Sequence, residues 1–77
     1  MNKLEMFFIQ SGEYLGIQDG HRAIVKRNIN TKKWMVFIHK LSSAETGPQK
    51  LVWMYTDAPT KRDAVQYAQA VINDLPR

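Results

Sequence analysis

The two histidines, His21 and His39, are the side chains best suited to metal binding or proton transfer near neutral pH in this 77-residue chain. They fall on different predicted strands, neither has a second ligand at metal spacing, and the chain has no cysteine. The acids Glu5, Glu13, Asp19, Glu45, Asp57, Asp63 and Asp74 are scattered, and no two are spaced as an acid–base pair. Ser11, Ser42 and Ser43 lie in predicted loops with no identifiable base. A glycine-rich phosphate loop and a nucleophile elbow are both missing from the sequence. The expectation is a non-enzymatic chain with no catalytic residue, no bound metal and no cofactor.

Binding chemistry is better represented. Eleven Lys+Arg against seven Asp+Glu give a formal charge of +4 and a pI near 9.6, a balance that favours polyanions. The basic residues gather as Arg22/Lys26/Arg27, Lys32-Lys33 and Lys61-Arg62. Phe37, His39, Trp53 and Tyr55 lie among them in sequence, and aromatics interleaved with cations build both interface hot spots and stacking platforms. Lys61 and Arg62 open a predicted helix, at the positive end of its dipole, a placement unfavourable for stability.

The elements that must position these groups follow from patterning. Leu4–Gln10, Tyr14–Ile17, His21–Asn28, Lys33–Lys40 and Leu51–Thr56 read as strands. Gly16 marks a bulge or a close backbone approach, and Asp19-Gly20 reads as a hairpin turn. Asn28–Lys32 forms a polar turn, and the stretch from Leu41 to Lys50 is a surface loop by composition. Thr60 caps a helix with Asp63 as its acidic third residue, and the helix ends near Leu75, before Pro76. Ala64, Val65, Ala68, Val71, Ile72 and Leu75 make its core stripe; Arg62, Gln66, Gln69 and Asn73 make its wet side.

One domain covers residues 1–77: an α+β fold with an antiparallel sheet of three to five strands packed on a single C-terminal helix. The strand opened by Lys33 has two largely apolar faces, Trp34/Val36/Ile38 and Met35/Phe37/His39, and one helix covers only one face of a sheet. With Val36, Ile38, Val52 and Met54 toward the helix, Phe37, His39, Trp53 and Tyr55 point away from it, edged by Arg22 and Lys26. The alternative is that the N-terminal strand, or a second copy in a homodimer, covers that face. No apolar run approaches the ~20 residues of a membrane span, and no signal peptide is recognisable. A soluble, cytoplasmic protein without membrane contact is expected.

From Lys33 onward the pattern resembles AP2/ERF domains and the arm-binding domains of phage and transposon integrases. The likeness rests on Lys33-Trp34, Leu51-Val52-Trp53 and the run Thr60-Lys61-Arg62-Asp63-Ala64-Val65-Gln66-Tyr67-Ala68. It implies a three-stranded sheet on one helix, with DNA bound by the sheet. Met35, Phe37 and His39 stand where the family places outward arginines, and Met54 and Tyr55 replace its glycine after the tryptophan. The leading expectation is therefore nucleic-acid binding through the helix-free face: Arg22, Lys26, Arg27 and Lys33 would hold phosphates, and Phe37, Trp53 and Tyr55 would pack on sugar or bases. In size and style the chain also resembles phage-encoded inhibitors of host machinery such as anti-CRISPR proteins. That likeness implies a protein partner docked on the same aromatic face.

Overall fold

A computed structural model describes residues 4–41 and 50–75. Five strands, β1 (Phe7–Gln10), β2 (Glu13–Gln18), β3 (His21–Arg27), β4 (Trp34–Lys40) and β5 (Lys50–Ala58), precede one helix, α1 (Lys61–Asp74). The strands form one sheet in sequence order, each antiparallel to the next. The α+β class is as expected. Most of the loop expected between Leu41 and Lys50 lies outside the described residues.

The turns follow local chemistry. Asp19 and Gly20 both have positive φ, 52° and 74°, and join Gln18 to its partner His21 as a primed two-residue turn requires. Between β3 and β4, the Asn28 side chain accepts from the backbone of Asn30 at 2.9 Å, and Lys32 N–H donates to the Asn28 carbonyl at 2.7 Å. At the helix start, Asp63 N–H donates to Thr60 Oγ1 at 3.1 Å, so the threonine is the N-cap.

The core lies between the helix and one sheet face. Ala23, Val25, Val36 and Ile38 meet Ala64, Ala68 and Ile72 there, with Leu4 and Ala58 closing the ends. Small alanines on the helix let it sit close over β3 and β4. Residues 4–6 do not extend the first strand. They cross the helix side of β2 instead, where Gly16 leaves room: a Cβ on Gly16 would stand 2.6 Å from the Glu5 carbonyl and 2.8 Å from Met6 Sδ. The β2–β3 register is unbroken through Gly16, so this glycine is a close approach and not a bulge. Leu4 N–H donates to Gln69 Oε1, and Gln69 and Asn73 both bond Gln18 at 3.1–3.2 Å. Two residues expected on the wet side of the helix thus tie it to β2.

The phase of β5 differs from expectation. Val36 pairs with Tyr55 and Ile38 with Trp53, while Phe37 pairs with Met54. Directly opposed residues share a face, so Trp53 and Tyr55 lie on the helix side and Met54 lies on the open side. Both stripes of β5 are apolar, and periodicity alone could not choose between them. Irregularities in the β4–β5 ladder between Trp34 and Val36 and between Ile38 and His39 set the choice. Val52, at the second of these, packs against the core as Trp53 does.

Candidate functional site

The register divides the expected site residues between two faces. Arg22, Lys26, Phe37 and His39 are on the open face, since Arg22 opposes His39, Ile24 opposes Phe37 and Lys26 opposes Met35. Arg27 opposes Trp34 and so has the phase of the helix side, with Trp53 and Tyr55. Lys33 sits in the β3–β4 turn, its N–H donating to Thr31 Oγ1 at 3.2 Å. The four proposed phosphate contacts therefore do not share one surface.

The open face is mainly aliphatic. Phe7 pairs with Leu15, Leu15 with Ile24, Ile24 with Phe37 and Phe37 with Met54, a continuous apolar row across all five strands. Ile17 and Met54 on this face are 59% and 49% exposed. Residues 4–6 pass over the opposite face, and among the described residues no element packs on this one, where Leu15, Ile24 and Phe37 are half-buried and Phe7 and Met54 exposed. Phe7, Leu15, Ile17, Ile24 and Met54 were not among the candidates expected from sequence; the alternation in Tyr14–Ile17 carried the signal for Leu15 and Ile17, whereas Met54 was expected to face the helix.

Arg22 and His39 stand opposite each other at the rim of this row. Arg22 Nε and His39 Nδ1 are both buried without a hydrogen-bond partner among the described residues. Burial first, and the Arg22 guanidinium second, hold His39 below the ordinary imidazole value of 6.5. Two unmatched donors, one permanent and one dependent on protonation, favour an acceptor such as a carboxylate. His21 is different. It is buried, with Nδ1 2.9 Å from the Asp19 carbonyl, and it serves the turn.

On the helix side are two aromatic groups. Phe8 meets Tyr14 edge-on at 5.7 Å, Tyr14 meets Trp34 at 6.4 Å, and Lys61 Nζ sits 3.5 Å from the Tyr14 ring centre. This cation–π contact gives Lys61 an internal reason for its place at the helix start. On the other flank, Trp53 and Tyr55 lie nearly parallel at 6.2 Å, and Tyr67 stands at 85° to Tyr55 at 5.4 Å. These three rings line an open cleft of about 310 Å³.

No group of three or more His, Cys, Asp or Glu able to hold a metal occurs among the described residues. No described helix is long and apolar enough to cross a membrane. No family model, curated protein or solved structure matches the chain.

Proposed function

We propose that the protein is a non-enzymatic docking module that binds a partner protein through its open sheet face. The observation that carries this reading is the apolar row from Phe7 through Leu15, Ile24 and Phe37 to Met54, on which no element packs among the described residues. Bare apolar rows of this kind mark interaction surfaces. Arg22, Lys26 and His39 form a polar rim suited to acidic side chains of the partner. A small inhibitor that covers a host protein's surface would have this form, and a cytoplasmic setting accords with a chain lacking cysteine. Nucleic-acid binding is the second reading, favoured by Arg22 and Lys26 sharing the face. Against it, Trp53 and Tyr55 lie on the helix side, which leaves Phe7, Phe37 and His39 as the rings of this face among the described residues.

A photo-reactive phenylalanine analogue at position 54, with position 66 on the outer helix as control, tests the choice. The expected result is a crosslink from position 54 to one protein species. The complex should survive about 0.5 M salt, because an apolar interface is little screened. It should be lost in Ile17→Lys/Met54→Lys. Binding to duplex or single-stranded nucleic acid tighter than ~100 μM at low salt would overturn the reading if Arg22→Ala/Lys26→Ala abolishes it and the double lysine variant keeps it. A stable dimer by light scattering, made monomeric by Ile17→Lys/Met54→Lys, would overturn it as well.

A further inference from the structure

A second surface, independent of the open face, lies at the far edge of the sheet. β5 has nine residues, Lys50–Ala58, and among the described residues it pairs only with β4. Its charges, Lys50 and Asp57, stand near its two ends, and it contains no proline. The opposite edge is short and interrupted: β1 has four residues and a register shift between Phe8 and Gln10. Proteins usually blunt a long edge strand with central charges, proline or a covering segment. The centre of β5, Leu51–Thr56, carries no charge and no proline, and so suits the addition of another strand.

The three-ring cleft lies beside this edge. Trp53 and Tyr55 project from β5 itself, and Tyr67 reaches them from the helix. A strand added along β5 would place the Cβ atoms of its helix-side residues about 4.5–5.5 Å from those of Trp53 or Tyr55. A long side chain at such a position enters the cleft.

The charges around the cleft select the kind of side chain. At 3.6 residues per turn, Asp63 and Asp74 fall on the same flank of α1 as Tyr67, and Arg62 falls on the opposite flank. Lys61 is held on Tyr14, away from the cleft. Two carboxylates thus flank ring faces, which attract cations, while Lys40 and Lys50, paired on the helix side of the sheet, lie beyond Trp53 at the far end. An arginine fits best, since its plane stacks on aromatic rings while its N–H fork reaches carboxylates. We propose that the edge of β5 and the Trp53–Tyr55–Tyr67 cleft together receive an extended peptide segment that carries an arginine.

Three acetylated, amidated heptapeptides of alternating threonine and valine test this. One has a central arginine, one a central citrulline (its neutral isostere), and one the arginine flanked by prolines. Binding is followed by amide and ring NMR shifts. The arginine peptide should shift the amides of 51–56 and the Tyr67 ring. Citrulline should weaken it by about threefold or more, the range of an exposed to partly desolvated cation–π contact. The proline peptide should not bind, because it cannot donate along the edge. Tyr67→Ala, at a position 41% exposed and so tolerable to the fold, should erase the difference between arginine and citrulline. Equal affinity for those two peptides, shifts confined to other surfaces, or no binding at millimolar peptide would overturn the proposal. So would light scattering that shows β5 already paired in a dimer. Ile17→Lys, on β2 and on the open face, should leave peptide binding unchanged, which separates this site from the open face.

Discussion

His39 is the residue whose chemistry responds most directly to its surroundings. Its neutral form is favoured in the fold by burial and by the Arg22 charge opposite. A histidine whose folded pKa lies below 6.5 binds fewer protons than the unfolded chain in the interval below that value. Stability is therefore fully present above pH 6.5 and falls as pH drops through the interval toward the folded pKa. Urea unfolding from about pH 8 to about pH 5 should show this decline, and His39→Gln should flatten it. A decline of unchanged slope in the variant would assign the effect to other groups. If a partner's carboxylate docks on Arg22 and His39, complex formation takes up a proton at His39, and binding strengthens as pH falls through the same interval.

At the scale of elements, β2 and the segment before β1 depend on one glycine. Leu4, Glu5 and Met6 approach Gly16 so closely that any side chain must displace backbone as well as a flexible thioether. Gly16→Ala should cost about 1–3 kcal/mol, the range for overpacking a filled site, and denaturant melts should report it. A loss below ~0.5 kcal/mol would mean that the segment lifts away at little cost. The special role of Gly16 was legible in the sequence because a lone glycine inside an apolar strand needs a reason. The direction taken by residues 4–6 was not, since Leu4, Met6 and Phe8 also read as one face of an ordinary strand. The helix was legible nearly to the residue from Thr60, Asp63 and its apolar stripe. The phase of β5 was illegible because hydrophobicity sets phase only when one stripe is polar, and Leu51/Trp53/Tyr55 and Val52/Met54/Thr56 are both mainly apolar. That single ambiguity moved Trp53 and Tyr55 from one face of the sheet to the other.

At the scale of the molecule, the described residues form two layers, and the sheet face away from the helix is apolar. The native protein should bind the dye ANS at neutral pH without unfolding, and Ile17→Lys/Met54→Lys should reduce that signal. The same variant should change stability by less than ~0.5 kcal/mol, because both positions are about half exposed and outside the core. Dye binding unaltered in the variant would place the adhesive surface elsewhere. The imbalance of five β-segments against one helix was legible in the sequence. The partition of aromatic and aliphatic residues between the faces required the register.

Every strand lies next to its neighbour in the chain, so each hairpin can close soon after it leaves the ribosome. The helix follows all five strands, and Gln69, which receives the Leu4 N–H, comes with it. Until α1 forms, the nascent sheet therefore has no helix over either face. Chaperone occupancy or aggregation should be greatest on nascent chains whose five strands are exposed while α1 is still within the ribosome.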